Sequence, residues 1–317
     1  MIAGVLAVYA VLATTLLPRL LIRARWADRA PRLAITLWLA ACTSAIASAA
    51  LSAVAAAIPP DAIGHSLASL IEACFAMLDD GVDLGTMSAG SWLVLLSGGL
   101  VVARAAYGVG AVMFTAWRER RRHAEMLRIL GRRDHELDAI VLEYGEPLAY
   151  CLPGRQAKTV VTTAALQALT PEHLAAVLAH ERAHLRGRHH LVLALADGLD
   201  RAFPGVPLFS RAKEEVVRLV ELRADDVAAH RHPRVHIAAA LVSLATGRAP
   251  AFALGAGGEN ALTRVRRMLR PAVPLGQREK LAGVTAVGVL LAGPAVVMLF
   301  PGLTALIAHH CHDLFVF

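Results

Sequence analysis

Val177-Leu178-Ala179-His180-Glu181-Arg182-Ala183-His184-Leu185 is the stretch from which the rest of the chain is read. Two histidines four residues apart stand on one face of a helix, so both imidazoles reach one metal ion, and the glutamate after the first reaches the same ion's remaining corner. The surroundings are helical. Thr170 suits an N-cap, Pro171 the first helical position and Glu172 the positive end of the dipole. Leu174, Val177, Leu178, Glu181 and Leu185 fall on one helical stripe. A carboxylate in the middle of an apolar stripe is unfavourable unless a partner or a metal compensates it.

A zinc site that hydrolyses needs three protein ligands and an open fourth position. The second helix that could complete it runs from Ser210 to about Arg231, where Val217, Val220, Glu221, Ala224 and Ala228 share a stripe that Glu221 interrupts as Glu181 does the first. Asp225, four residues on, is placed to hold the outer nitrogen of a ligating histidine, expected to be His180 with His184 also open. Upstream, residues 118–138 read as a charged helix. Short β-type runs follow at Ala139–Tyr144, Leu148–Leu152 and Thr159–Thr163, separated by Gly145-Glu146-Pro147 and Pro153-Gly154. His189 and His190, flanked by Arg186 and Arg188, read as a solvated, membrane-facing face. Phe203-Pro-Gly-Val-Pro-Leu-Phe209 either rests on a bilayer or packs inside the domain.

The 317 residues are 56% hydrophobic and 18% charged, against about 25% charged in ordinary globular chains. Disorder, a collagen-like fibre and a disulfide scaffold are excluded, because four cysteines cannot staple a chain of this length. Four stretches are apolar enough to approach the roughly 20 residues that a membrane helix needs: 2–17, 33–58, 91–117 and 281–308. Stretch 2–17 lacks a basic leader and reads as a retained helix. Pro294 and Pro301 are expected to kink or end the last, and Arg104 interrupts the third, where an arginine needs a polar neighbour.

Arg19, Arg23, Arg25, Arg29 and Arg32 follow the first stretch and Arg118, Arg120, Arg121 and Arg122 the third, whereas loop 59–90 carries Asp61, Glu72, Asp79, Asp80 and Asp83 and no Lys or Arg. The positive-inside rule puts the N-terminus and that loop outside and residues 118–280 in the cytoplasm as one domain. The predicted plan is a membrane region 1–117, a cytoplasmic domain 118–280, a fourth span 281–308 and a short outer tail 309–317. The net charge of +7 is thus mainly a topology signal. Arginines clustered at span exits without interleaved aromatics argue against direct nucleic-acid binding. Cys74 and Cys311 both fall outside in this topology and could pair, Cys42 reads as membrane core and Cys151 as a buried thiol. The tract His309-His310-Cys311-His312-Asp313 fits no specific metal spacing.

His180-Glu-Arg-Ala-His184 followed by Glu221-Leu-Arg-Ala-Asp225 resembles the glutamate-zincin pattern of the BlaR/MecR-type membrane metallopeptidases and their relatives, the HtpX and CAAX prenyl proteases. The resemblance is most specific over residues 158–229. It implies a mostly α membrane protein, with four transmembrane helices and a cytoplasmic α+β gluzincin-like metalloprotease domain with a small sheet. It also implies one Zn²⁺ per chain held by His180, His184 and Glu221, with Glu181 as general base and Asp225 supporting a ligand. In such zincins an edge strand before the metal helix aligns substrate by β-addition, a role falling here to Thr159–Thr163. The oxyanion donor stays open among Arg223, His230, His232 and His236.

The implied role is signal transduction in a bacterial cell membrane, by cleavage of a BlaI/MecI-like winged-helix repressor. An HtpX-like quality-control protease and a non-proteolytic sensor or scaffold are the alternatives. The chain departs from the best-known members in having nine residues after the fourth stretch in place of a penicillin-binding sensor domain.

Overall fold

The computed structural model describes residues 1–24, 26–57, 88–154, 158–246, 254–271 and 273–314. The expectations for loop 59–90, including Cys74 and its pairing with Cys311, lie outside the described residues, as do the side chains of the 309–313 tract. The chain opens with α1 (Ile2–Thr15) and α2 (Leu17–Ile22), a 3-10 turn at Ala27–Arg29, then α3 (Pro31–Ala57) and α4 (Ala89–Leu130). The 42-residue α4 carries the apolar stretch 91–117 and its basic continuation as one helix.

Among the described residues, three helices are long and apolar enough to cross a membrane: α3, α4 and Gln277–Phe300 of the last helix, α11 (Gln277–Leu314). At 14 residues α1 is apolar but shorter than such a span. It stops just before Pro18, which has no N–H to donate back into the preceding turn. Helix α11 continues past Pro294 and Pro301, so neither ends it.

α3 is the hub of the helical bundle. α1 runs antiparallel along it, with Ser52 donating to the Ala3 carbonyl at 2.9 Å and the Tyr9 hydroxyl 2.8 Å from Ser44 Oγ. α11 runs beside it in the same direction, Gly283 against Leu33 at one end and Met298 with Ala55 and Leu6 at the other. α4 returns antiparallel, close enough that a Cβ on Gly98 would meet that of Ala53 at 2.6 Å.

The sheet among the described residues has four strands, β1 (Gly131–Asp134), β2 (Ala139–Leu142), β3 (Ala149–Leu152) and β4 (Lys158–Thr162), in the order β1-β2-β4-β3. The expected helix over 118–138 therefore ends at Leu130, and Gly131-Arg-Arg-Asp134 pairs antiparallel with β2 instead. The reason is local: Asp134 Oδ1 accepts from the N–H groups of Glu136 and Leu137, and Asp138 adopts φ 47°, which closes a turn that the helix cannot continue through. Thr162, fully buried, ends β4 and caps α5 (Thr163–Ala168), accepting from Ala165 N–H at 3.2 Å while donating to the Glu146 carbonyl at 2.7 Å.

Further helices follow: α6 (Pro171–Arg186), α7 (His189–Ala202), α8 (Pro207–Ala229), α9 (Arg234–Thr246) and α10 (Leu254–Leu269). α6 lies on the sheet, its Leu174, Val177 and Leu178 packing with Val141, Val161 and Ala165. α7 and α8 form a hairpin that packs back along the apolar helices. One buried cluster joins Ile35, Trp38, Ala41, Cys42 and Ala45 of α3 with Leu208, Phe209, Ala212, Val216 and Leu219 of α8. The 203–209 loop packs inward, with Phe203 and Phe209 stacked at 4.8 Å. Residues 1–117 and 118–280 thus share a core.

Arg104 is accounted for here, since its Nε donates to the carbonyl of Ala202 at the end of α7. Between α7 and α8, Lys213 bridges Asp197 at 2.7 Å and Asp200 at 2.9 Å. The contact between α4 and α7 depends on small residues. A Cβ on Gly198 would lie 2.5 Å from Val109 Cα, and one on Gly108 2.6 Å from the Gly198 carbonyl. Gly198→Leu should separate the helices and lose about 1–3 kcal/mol. A lowered Tm of the detergent-purified protein checks this, and an unchanged Tm contradicts it.

Candidate metal centre

α6 and α8 cross with Glu221 facing His180 and His184. His180 Nε2 lies 3.0 Å from His184 Nε2, and the Glu221 oxygens lie 3.5 Å from each, Oε2 to His180 and Oε1 to His184. Tetrahedral zinc with ligands at about 2.0–2.1 Å sets its donor atoms about 3.3 Å apart. The imidazole pair is a little closer than that and each imidazole lies 3.5 Å from a different Glu221 oxygen, so the donor set suits zinc in its chemistry and is gathered at nearly the spacing of a zinc shell.

The outer nitrogens are held as well. Asp225 Oδ1 is 3.0 Å from His180 Nδ1, so of the two histidines open to it in the sequence it faces His180. His184 Nδ1 meets His189 Nδ1 at 3.1 Å. His189 is 7% exposed, which corrects the reading of a solvated face. The cause is the turn before it. Arg188 adopts a left-handed conformation, φ 49°, and starts α7 with His189 pointing back under α6. His190 is half-buried on the other side, within the field of Arg120 and Arg188.

Glu181 stands beside the ligands, with the Cys151 thiol of β3 against its carboxylate. The strand expected to align substrate is β4, yet β4 is paired on both sides, parallel to β2 and antiparallel to β3. Its hydrogen-bonding groups are used within the sheet, and the free edge next to the site belongs to β3. None of the four oxyanion candidates, Arg223, His230, His232 and His236, lines the cavity at Glu181. Arg264 of α10 does. The cavity is about 160 Å³, walled on its apolar side by Val177, Ile237, Leu241 and Leu244. Arg264 was not legible as a site residue in the sequence, because α10 carries Arg264, Arg266 and Arg267, with Arg270 just beyond it, and spacing alone does not say which one turns inward.

The electrostatics follow from burial set against these partners. Burial disfavours the imidazolium of His180, but the Asp225 and Glu221 carboxylates outweigh it and raise its pKa to about 9. Burial and then the positive His180 lower His184 to about 4. Glu221 is opposed by burial and still held down to about 2 by His180 and Arg264. Burial raises Glu181 above the usual carboxylate range. Burial also raises the Cys151 thiol, to about 12, with the Glu181 charge adding to it.

At pH 7 the centre without metal therefore holds one proton that a metal must displace, the one on His180, while His184 and Glu221 are already free of theirs. Zinc binding should release about one proton, and affinity should rise about tenfold per pH unit up to a pH of about 9. Isothermal titration in two buffers of different ionisation enthalpy measures it. Affinity independent of pH between 6.5 and 8.5 would contradict the assignment.

Neither the curated proteins nor the solved structures compared with the chain include a match. Residues 116–206, the stretch with the sheet, His180, Glu181 and His184 and ending before Glu221, match the model of peptidase family M48. M48 peptidases are generally zinc-dependent, and the similarity, together with the His–His–Glu cluster, supports a metallopeptidase function for this chain.

Proposed function

We propose that the chain is a membrane zinc endopeptidase that cleaves a protein substrate at the cytoplasmic surface, with signal transduction through a BlaI/MecI-like winged-helix repressor as its role. The observation that carries the reading is the convergence of His180, His184 and Glu221 beside Glu181 at the arginine-rich ends of the apolar helices. Glu221 is three residues from Arg218, whose guanidinium pairs at 2.6 Å with Asp28, just ahead of α3. That end carries Arg19, Arg23, Arg29 and Arg32, so the positive-inside rule favours the cytoplasm for it.

Zinc held by His180, His184 and Glu221 supplies Lewis acidity for water and for the scissile carbonyl. The protein's own groups do the rest. Glu181 takes the proton of the attacking water and delivers it to the leaving amine, a role suited to a carboxyl that burial has raised. The free edge of β3 aligns an extended substrate backbone by strand addition. The wall of Val177, Ile237, Leu241 and Leu244 takes an apolar substrate side chain.

Glu181→Gln should keep its zinc and lose about 10²–10⁴ in turnover. The direct measurement compares new N-termini among cytoplasmic proteins in cells carrying wild-type or Glu181→Gln enzyme, with the repressor as the expected substrate. Full proteolysis by the variant would contradict the mechanism. A repressor left intact while misfolded membrane proteins accumulate in the variant would contradict the signalling role.

A further inference from the structure

Arg264 touches both carboxylates of α8 that serve the metal centre. Its side chain is 14% exposed, and all three guanidinium nitrogens are engaged. Nη1 pairs with Glu221 Oε2 at 2.8 Å, while Nε and Nη2 donate to the two oxygens of Asp225, each at 2.8 Å. Asp225 is fully buried. Two carboxylates one helical turn apart, one fully buried and the other 35% exposed, repel each other, and a planar fork with fixed donor directions offsets both charges and fixes both orientations.

We propose that Arg264 is a positioning residue that holds Glu221 as a one-oxygen ligand, keeping Oε2 on the guanidinium and presenting Oε1 to the metal. The proposal rests on the reading of His180, His184 and Glu221 as the zinc-binding set. Arg264 pairs with Oε2, which also lies 3.5 Å from His180 Nε2, while Oε1 lies 3.5 Å from His184 Nε2. This matters for the reaction because a hydrolytic zinc site needs its fourth position open. A glutamate free to rotate onto the metal with both oxygens would take that position. The same guanidinium fixes Asp225 against His180 Nδ1, so one side chain sets the orientation of two of the three ligands.

The next turn of α10 keeps Arg264 in place. Arg267 pairs with Asp226 at 2.8 Å and donates to the carbonyl of Asp28, and Arg234 holds the end of the helix through the carbonyls of Met268 and Arg267. Arg267 makes a similar set of contacts one turn further on without touching the ligands, which makes it the control.

The test uses the full chain in lipid nanodiscs, as wild type, Arg264→Gln, Arg264→Lys and Arg267→Gln. Three quantities are read: zinc affinity against a competing chelator, the visible absorption of the Co²⁺-substituted protein, and the Tm of the metal-free form. Arg264→Gln should bind zinc about 10–100-fold more weakly. Its cobalt spectrum should lose the intensity of four-coordination as Glu221 adds its second oxygen. Arg264→Lys should recover little of either, since an ammonium is a point charge and cannot fix two carboxylates. Arg267→Gln should lower the Tm and leave the cobalt spectrum at wild type, which a merely structural Arg264 would mimic and a positioning one would not.

Wild-type affinity and spectrum in Arg264→Gln would overturn the proposal, and so would full rescue by lysine. Should Arg264→Gln fail to fold, the cobalt spectrum of Arg264→Lys decides by the same criterion. Wild-type zinc in His180→Ala would overturn the metal centre together with this proposal. A zinc-loaded wild type that cleaves nothing would remove the peptidase reading and leave the role of Arg264 standing.

Discussion

The crossing of α6 over α8 sets the position of everything chemical in this molecule. Each helix buries an apolar face that one glutamate interrupts, and the helices meet where those interruptions coincide with His180 and His184. Val216, Leu219, Val220 and Leu222 are almost completely buried around Glu221, and Ala176, Val177 and Leu178 are buried around the histidines. The Glu221 side chain itself stays 35% exposed, and His180 and Arg264 hold its carboxyl down to about 2 against the burial around it. The polar groups left inside are not independent. His189 faces His184, Asp225 faces His180, and Arg264 joins Asp225 to Glu221.

The same crossing is tied to the apolar helices. α8 carries Glu221 and, ahead of it, residues buried in one cluster with Trp38, Ala41 and Ala45 of α3. Asp28, ahead of α3, receives Arg218 from the ligand helix and, through its carbonyl, Arg267 from the helix of Arg264. Glu279, at the start of α11, pairs with the neighbouring Arg29. The arginine-rich ends of the candidate spans and the metal centre are thereby linked through a few ion pairs a turn or two apart.

The metal motif was readable because its spacing is dictated by helical geometry alone. His180 and His184 must share a face at four residues apart, and so must Glu221 and Asp225. Three of the four strands were readable as short apolar or β-branched runs set between turn residues. β1 was not, since Gly-Arg-Arg-Asp has no apolar alternation and exists only because the Asp134 turn folds it back onto β2. The buried position of His189 depends on one left-handed residue, Arg188, whose φ no composition rule announces. The packing of α7 and α8 against α3 and α4 was hidden for a different reason. An amphipathic helix announces that it has an apolar face and leaves open what covers it, here the glycine contact of Gly108 with Gly198 and the aromatic pair Phe203 and Phe209.

Zinc-edge X-ray absorption on the purified full chain reads the donor atoms of the metal centre. Stoichiometric zinc is expected, with two imidazole nitrogens and carboxylate oxygen in its shell at about 2.0–2.2 Å, and no sulfur. A sulfur shell at about 2.3 Å, which would bring in Cys151, or a shell with a single imidazole would contradict it.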